Sequence, residues 1–278
     1  MAKVKISAFA DEASSLFQEQ IDAMIKNGVE YLEMRGVNGR NVSDMTVDEV
    51  KSAALLLADY GLSVWSLGSP IGKIKITDDF APEIERFKKL LEKASVCGAK
   101  CIRLFSFYGV DSPEKENEVF ERLSKYVELS EGSNVKLCHE NEKGIFGWNI
   151  ENCVRILDAN PSMRAVFDPA NFVQCGVDTL KAWEALAERT EYLHVKDALS
   201  DGSVVPAGYG IGNLEFIMND FLNRGGKVFS LEPHLRVFHG LDKLEGGEKS
   251  VVGKFAYPDN KTAFAASAEA AKKLLGLQ

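Results

Sequence analysis

Four short segments place potential metal ligands at regular intervals along the second half of the chain. They read LCHENE, VFDPAN, YLHVKD and SLEPHL, and each supplies one carboxylate or imidazole: Glu140, Asp168, His194 and Glu232. Three carboxylates and one imidazole form an oxygen-rich set that suits Mn²⁺, Mg²⁺ or Co²⁺ and also accommodates Zn²⁺. A structural zinc site would use more Cys and His. The segments therefore predict one divalent cation, with Mn²⁺ preferred.

These residues also have ordinary structural interpretations when each is considered alone. One of the two glutamates of ENE, Glu140 or Glu142, could be a helix-capping or salt-bridged surface group. Asp168 precedes Pro169, and Asp-Pro is common in turns. A histidine on a strand, such as His194, more often lies in the core than on a metal. Glu232 ends an apolar run, and because buried glutamates are rarely unpaired, it is the strongest single candidate. The succession of four such segments favours the metal site over these separate interpretations.

Two further polar residues follow the candidate ligands at a spacing of two. Glu142 comes two residues after Glu140, and the period of a strand predicts that both lie on one face. Two carboxylates on one face repel each other unless a cation or a proton intervenes. Lys196 comes two residues after His194, so we expect it to reach a substrate oxygen. Pairing of Lys196 with Asp197 or Glu142 is the structural alternative.

The remaining candidates for substrate contacts come from other segments. Arg35 and Arg103 end two predicted strands and could offset the carboxylates or bind substrate, with structural ion pairs as the alternative. Glu33 shares the predicted face of Arg35. Asn171 follows Asp168 closely enough to offer a hydrogen-bonding group to the same cavity. His234, in the last segment, completes the set of substrate-binding candidates.

Short β-prone runs alternate with longer amphipathic stretches along the whole chain. Eight strands and eight helices predict an α/β protein with a parallel sheet, and the count of eight favours a closed (β/α)₈ TIM barrel. We expect residues 1–278 to form this single domain. The predicted strands span 4–9, 29–34, 62–67, 101–107, 135–138, 164–167, 192–195 and 228–231, and the predicted helices 16–26, 47–60, 81–97, 113–129, 150–157, 178–187, 214–223 and 262–275.

A barrel of this kind spends about 30 residues on each strand–helix unit, which is close to the spacing of the four segments. The candidate ligands are therefore expected at the C-terminal ends of successive strands, where TIM barrels keep their active sites. The chain has no GxGxxG after its first predicted strand and no GxxxxGK[ST]. The nucleotide-binding α/β folds thus lack their fingerprints here.

Composition excludes several classes of partner. The net charge of −8 disfavours nucleic acid, because phosphate contacts need patches of Lys and Arg. No stretch approaches the roughly 20 apolar residues of a membrane-spanning helix, and the first residues do not resemble a signal peptide. Five cysteines without a CxxC pair predict reduced thiols and a cytoplasmic protein.

One long irregular segment, from Arg236 to Asn260, follows the last predicted strand and is rich in Gly, Lys and Glu. Long loops in compact domains are usually functional or disordered. Because it leaves the barrel just after Glu232, the segment predicts either a lid over the site or a surface loop.

Taken together, these residues resemble the sugar phosphate isomerase/epimerase superfamily, the xylose-isomerase-like TIM barrels. The resemblance covers nearly the whole chain and rests on ISAFADE, NGVEYLEMRG, GSPIGKI, HENE, FDPAN, HVKD and LEPH. It implies that Glu140, Asp168, His194 and Glu232 bind the metal. It also implies that the two glutamates act as acid and base on opposite faces of the substrate, as in the ketose epimerases.

The resemblance does not fix the reaction, because the superfamily includes epimerases, aldose–ketose isomerases, dehydratases of inososes or dehydroshikimate, and endonuclease-IV-like repair enzymes. Asn171 stands where several epimerases have a substrate-binding His. Lys196 and Asp197 replace an arginine-bearing loop of the epimerases. The repair branch uses additional His ligands, whereas this chain has only four histidines.

The function predicted from the sequence is therefore a metal-dependent isomerase or epimerase of a sugar or sugar phosphate, acting by proton transfer through an enediolate. A dehydratase that forms the same kind of enolate and expels a β-hydroxyl is the alternative. A non-catalytic sugar-binding barrel is the alternative of another class. The expected partner is a small molecule, without nucleic acid or membrane, and assembly into a homo-oligomer is left open.

Overall fold

Eight parallel strands close into a barrel in a computed structural model that describes residues 4–238 and 255–277. Each strand pairs with its neighbours in the sequence, and the first pairs with the last to close the ring. This confirms the predicted (β/α)₈ barrel. The strands are β1 Lys5–Ala8, β2 Tyr31–Met34, β3 Ser63–Gly68, β4 Cys101–Leu104, β5 Lys136–Glu140, β6 Arg164–Phe167, β7 Thr190–Val195 and β8 Val228–Leu231.

Helices connect the strands and surround the barrel. They are α1 Phe17–Lys26, α2 Val47–Asp59, α3 Ala81–Cys97, α4 Pro113–Ser130, α5 Ile150–Ala159, α6 Pro169–Gln174, α7 Thr179–Leu186, α8 Leu214–Asn223 and α9 Asn260–Leu274. Short 3₁₀ helices span Ala10–Glu12, Phe146–Trp148 and Ala187–Arg189. Two antiparallel ribbons pair Gly36–Val37 with Arg40–Asn41 and Asp197–Ala198 with Val204–Val205.

Local capping explains why several helices begin and end where they do. Thr46 precedes α2 and accepts a hydrogen bond from the backbone of Glu49, whose carboxylate accepts one from the backbone of Thr46 in return. Gly98 ends α3 with φ of 70°, a conformation that glycine adopts without strain. The predicted bounds of α3 and α8 coincide with those of the structure.

The period of two along the strands separates an outer core from the barrel interior. Leu193 and Val195 of β7 belong to the large apolar cluster that also contains the buried faces of the helices. Tyr192 belongs to a separate, smaller cluster within the barrel, together with Trp65, Cys101, Cys138, Val166 and Val228. His194, two residues beyond Tyr192, extends this interior row towards the C-terminal end of the barrel.

The structure departs from the predicted elements in two places near that end. Strand β4 stops at Leu104 instead of continuing to Phe107, whose φ of 64° is incompatible with extended strand. A short helix, α6, begins directly after Asp168, where the sequence predicts no helix. The Asp168 carboxylate caps α6 by accepting a hydrogen bond from the backbone N of Asn171 at 2.9 Å.

Most of the segment predicted to be either a lid or a surface loop, residues 239–254 of the range 236–260, lies outside the described residues. Within the described residues, no helix combines the length and apolar character needed to span a membrane. All five cysteines are free thiols, which agrees with the expectation that they form no disulfide frame.

The loop that contains Gly72 packs directly against strand-end residues, which generates a stability prediction. A Cβ added at Gly72, where φ is 85°, would lie 2.1 Å from the Phe105 carbonyl oxygen. Gly61 has a similar φ of 73°, with no heavy atom within 4 Å of an added Cβ. We expect Gly61→Ala to cost about 1–2 kcal/mol of backbone strain, and Gly72→Ala at least about 2 kcal/mol more.

Urea unfolding of the two variants and the parent protein measures this difference. Equal losses of unfolding free energy in Gly61→Ala and Gly72→Ala would contradict the prediction. They would show that the loop around Gly72 moves away from Phe105 without a measurable loss of stability.

Candidate metal centre

The four predicted ligands meet at the C-terminal end of the barrel. Glu140 is the last residue of β5, Asp168 follows β6, His194 is next to last in β7, and Glu232 follows β8. One ligand atom from each lies within 4.8 Å of those of the other three. All four side chains are buried. The structure thus brings the predicted set together, and its role in binding a cation stays a prediction.

The Nδ1 atom of His194 is the common point of this quartet. It lies 3.1 Å from Glu140 Oε1, 3.2 Å from Glu232 Oε2 and 3.7 Å from Asp168 Oδ2. A ring nitrogen can donate only one hydrogen bond, so it cannot satisfy three carboxylate oxygens at once. Such a grouping of acceptors around an imidazole nitrogen matches the donor set expected of a cation site.

Unsatisfied oxygens in the quartet fit a divalent cation. Oε2 of Glu140 and Oδ2 of Asp168 are buried and accept no well-aligned hydrogen bond from the described residues. Arg103 Nη1 and Lys196 Nζ lie near them, at 3.0 and 2.8 Å, and contribute charge without suitable alignment. Buried carboxylate oxygens without partners are costly. A cation bound by these oxygens and His194 would remove that cost.

Lys196 adopts neither of the two structural pairings expected from the sequence. Its Nζ lies 2.8 Å from Asp168 Oδ2 and 2.9 Å from Glu232 Oε2, so it contacts two members of the quartet. The alternative pairing with Asp197 is wrong because that carboxylate is already occupied. It accepts hydrogen bonds of 2.9–3.0 Å from the backbone N of Ala198, Gly208, Gly210 and Gly212.

Two arginines hold the outer oxygens of the two glutamates. Arg103 Nη1 lies 3.0 Å from Glu140 Oε2, and Arg35 Nη1 lies 3.4 Å from Glu232 Oε1. Both guanidinium groups lie over the ring of Phe9, at 5.1 and 4.2 Å from its centroid. Each glutamate therefore directs one oxygen towards His194 and the other towards its own arginine, which orients both carboxylates.

The charges around the quartet shift its pKa values in opposite directions. Burial opposes ionisation of Glu140, but the positive charges of His194 and Arg103 outweigh it and lower its pKa to about 2. The pKa of Asp168 is raised because burial outweighs the effect of Lys196. Burial also opposes the charge on His194, yet the glutamates around it raise its pKa well above the usual value. Binding of a cation at Nδ1 must therefore displace a proton.

A second acidic group lies beside Glu232 and was not selected from the sequence. Glu12 accepts a hydrogen bond of 2.6 Å from the backbone N of His234 and lies 3.0 Å from Arg35 Nη2. Asp11 pairs with the same guanidinium at 2.9 Å. The position of Asp11 and Glu12 in the sequence could have identified them. The ADE of ISAFADE follows β1 and therefore lies at the same end of the barrel as the other segments.

Asn171 and His234, two of the predicted substrate-binding residues, contact members of the quartet. Asn171 Nδ2 donates to Glu140 Oε1 at 3.2 Å and to a backbone carbonyl at 2.9 Å. The His234 ring lies with its Nδ1 3.8 Å from Glu232 Oε1 and stacks on Phe238. Glu142 does not share a strand face with Glu140, as the period of two predicts, because β5 ends at Glu140.

Glu142 instead pairs with Lys73 at 3.1 Å, outside the quartet. Lys73 also lies over the ring of Phe105, 4.4 Å from its centroid. A substrate contact for Glu142 stays a prediction.

Comparison with known proteins identifies a family and several structures of the same fold. The profile of the family described as xylose isomerase-like TIM barrel matches residues 21–251. No curated protein matches the sequence. The probable 3-DHS dehydratase AsbF, involved in petrobactin synthesis in Bacillus anthracis, is 17% identical with a TM-score of 0.73, over 97% of this chain and 98% of that one.

Two further structures superpose equally well. The IolI protein with a bound zinc atom is 15% identical with a TM-score of 0.74, over 98% of both chains. A D-allulose 3-epimerase from Methylomonas sp., in complex with D-allulose, is 14% identical with a TM-score of 0.74, over 98% of this chain and 97% of that one. At identities this low, the similarity shows a common fold only. The reaction of this chain must be inferred from its own residues.

The quartet predicts one Mn²⁺ per chain with an affinity that depends on its carboxylates. We expect Asp168→Asn and Glu232→Gln each to weaken Mn²⁺ binding at least about tenfold, because each removes a charged ligand. Titration calorimetry with Mn²⁺ on the metal-stripped protein measures stoichiometry and affinity. Glu191→Gln is the matched control, since Glu191 pairs with Lys136 at the opposite end of β7. Unchanged affinity in the first two variants would refute the ligand assignment.

The environment of Glu12 predicts how the stability of the metal-free protein depends on pH. Burial raises its pKa to about 8 despite Arg35, with Glu232 and Asp11 adding repulsion. An unfolded chain releases this proton near pH 4.3, so between about pH 5 and 8 only the folded state retains it. The contribution of Glu12 to stability is therefore lost as the pH rises through this window.

Glu12→Gln keeps an acceptor for the backbone of His234 and removes the titration. We expect the unfolding free energy of the parent to decline relative to that of Glu12→Gln by on the order of 2 kcal/mol between pH 5 and 8. Urea unfolding of both metal-free proteins at the two pH values measures the difference. Parallel pH profiles would show that Glu12 is ionised throughout.

Proposed function

The chain belongs to the xylose isomerase-like TIM barrel family, and from that premise we propose that it is a divalent-metal-dependent isomerase or epimerase of a sugar or sugar phosphate. The observation that carries the proposal is the convergence of three buried carboxylates on Nδ1 of His194, all within 3.7 Å. Such a site occurs at the end of the barrel where TIM-barrel enzymes act.

Glu140, Asp168, His194 and Glu232 would hold the cation. When bound, the cation would supply a Lewis acid to adjacent hydroxyl and carbonyl oxygens of the sugar, which stabilises negative charge next to the carbonyl. The oxygen-rich donor set supports Mn²⁺ as our choice. The bound zinc of the IolI protein keeps Zn²⁺ among the alternatives.

Glu140 and Glu232 are proposed as the acid and base of the reaction. Both pKa values are lowered, to about 2 at Glu140 and well below the usual range at Glu232, so both are ionised at neutral pH. One glutamate would remove the proton from the carbon beside the carbonyl and later release it to solvent. The other would take a proton from solvent and deliver it to the opposite face of the resulting enediolate. Glu140 ends β5 and Glu232 follows β8, with two strands between them, and each pairs with its own arginine, which supports a role for each on its own face of the substrate.

Lys196 is proposed to contact a substrate oxygen. Its ammonium group has three donors, and the contacts with Asp168 and Glu232 place it beside the quartet. An oxygen that gains negative charge during proton transfer would receive a hydrogen bond from it. Asn171 and His234 are proposed to complete the substrate contacts, because both already touch the catalytic glutamates.

A dehydratase is the second candidate function. Its support is the contact between Lys196 and Glu232, which places a proton donor beside a base, as loss of a β-hydroxyl requires. The structural similarity to AsbF, a probable 3-DHS dehydratase, makes dehydroshikimate a substrate to test. The five free thiols support a cytoplasmic enzyme, and the net charge of −8 supports a small-molecule substrate over nucleic acid.

Proton transfer through an enediolate predicts isotope exchange. In D₂O with Mn²⁺, turnover of a substrate ketose should place deuterium at the reacting carbon, because the returned proton comes from solvent. Glu140→Gln and Glu232→Gln should each reduce net conversion by at least about 10³-fold, since each removes one of two proton-transfer groups. One of the variants should still exchange a single proton of the substrate. Product NMR measures both effects across ketoses, inososes and dehydroshikimate.

Glu191→Gln, which alters only the far end of β7, is the matched control and should retain full conversion. An ultraviolet-absorbing enone or a diketone would identify the dehydratase instead. Absence of exchange, isomerisation and water loss with Mn²⁺, Co²⁺, Mg²⁺ or Zn²⁺ would contradict the proposal that the protein is an enzyme. It would favour a non-catalytic sugar-binding barrel.

A further inference from the structure

A buried carboxylate lies directly beneath the quartet, inside the barrel. Glu33, on β2, is fully buried and receives three side-chain contacts. The Tyr192 hydroxyl donates to its Oε1 at 2.7 Å, the Ser230 hydroxyl donates to its Oε2 at 2.6 Å, and His194 Nε2 lies 3.2 Å from the same Oε2. None of the roles proposed above uses Glu33.

We propose that Glu33 is a positioning residue that keeps a hydrogen on His194 Nε2, so that a cation displaces the hydrogen from Nδ1 and binds there. The proposal rests on the cation site of the proposed function, and it does not depend on which sugar is turned over.

The chemistry of the contacts determines the tautomer. Both oxygens of Glu33 accept a hydrogen bond from a hydroxyl group, so the carboxylate also faces His194 as an acceptor, and the nitrogen nearest to it carries the hydrogen. In a neutral imidazole, a hydrogen on Nε2 leaves the lone pair on Nδ1. Nδ1 is the atom around which the oxygens of Glu140, Asp168 and Glu232 gather. By holding the hydrogen on Nε2, Glu33 therefore directs the lone pair of His194 Nδ1 at the cation site.

Aromatic neighbours hold the ring in this orientation. The ring of Phe9 meets His194 edge to face at a centroid distance of 5.3 Å, and the ring of Tyr192 does so at 5.6 Å. Rotation of the imidazole by half a turn would exchange Nδ1 with Cδ2 and Nε2 with Cε1, so C–H groups would face the quartet and Glu33 in place of the two nitrogens. Metal-binding histidines commonly donate their second nitrogen to a carboxylate, and loss of such a partner costs about 10–100-fold in affinity.

The same contacts also fit a purely structural role, in which Glu33 only satisfies two hydroxyl groups in the barrel. The two roles differ in what they predict for cation affinity. A structural role changes stability and leaves affinity in the folded protein alone. A positioning role changes affinity even when the folded state is retained.

Three variants separate these roles. Glu33→Leu removes the acceptor, and we expect its Mn²⁺ affinity to fall about 10–100-fold. Glu33→Gln keeps an oxygen for Nε2 and should recover several-fold of that loss. Ser230→Ala is the matched control, because it removes one hydrogen bond to Glu33 and leaves the His194 contact in place, so its affinity should stay within about threefold of the parent. Titration calorimetry on metal-stripped, folded protein measures all three.

A direct observation of the tautomer tests the proposal without substitution. In the parent protein loaded with Zn²⁺, ¹⁵N NMR of histidine should show a hydrogen on His194 Nε2 and none on Nδ1. A hydrogen on Nδ1, or folded Glu33→Leu with the Mn²⁺ affinity of the parent, would overturn the proposal. If the parent binds Mn²⁺ but converts no substrate, the proposed function fails while these measurements still decide the role of Glu33. If the parent binds no divalent cation, both fail.

Discussion

Negative charge confined at one end of the barrel is the constraint on which the site depends. Among the described residues, the carboxylates that converge there outnumber the cationic side chains that touch them, even before the imidazole is considered. The carboxylates are Asp11, Glu12, Glu33, Glu140, Asp168 and Glu232, and the cations are Arg35, Arg103 and Lys196. Buried charges without compensation are costly, and a carboxylate can avoid the cost only by binding a proton or a cation.

The barrel prevents these groups from moving apart. Glu33, Glu140, His194 and Ser230 lie within hydrogen-bonded strands, and Asp168 and Glu232 directly follow strands. Separation of the carboxylates would therefore require disruption of the closed sheet. The protein instead responds through protonation, as the raised pKa values of Glu12 and His194 show. A divalent cation would replace the proton on His194. The rigid strands that force the carboxylates together would then hold the ligands of the cation in a fixed geometry.

Much of this arrangement follows from local sequence, and the remainder depends on contacts between strands. The spacing of HENE, FDPAN, HVKD and LEPH predicts the ligand quartet because parallel strands end at the same side. The partners of Lys196, the placement of Glu142 and the role of Asp168 as a helix cap depend on where individual strands stop, which the period of two does not reveal. The contact of Glu33 with His194 joins residues far apart in the sequence, so only the closed barrel reveals it.

The central claim is that the quartet is completed by one cation rather than by internal ion pairs alone. Anomalous diffraction from crystals grown with Mn²⁺ tests it most directly, because the signal locates the ion independently of any assumption about the reaction. The account predicts a single peak at bonding distance from Glu140, Asp168, Glu232 and His194 Nδ1, with Lys196 shifted away from the shared oxygens. A quartet without a peak, in which Lys196 keeps its contacts with Asp168 and Glu232, would contradict it.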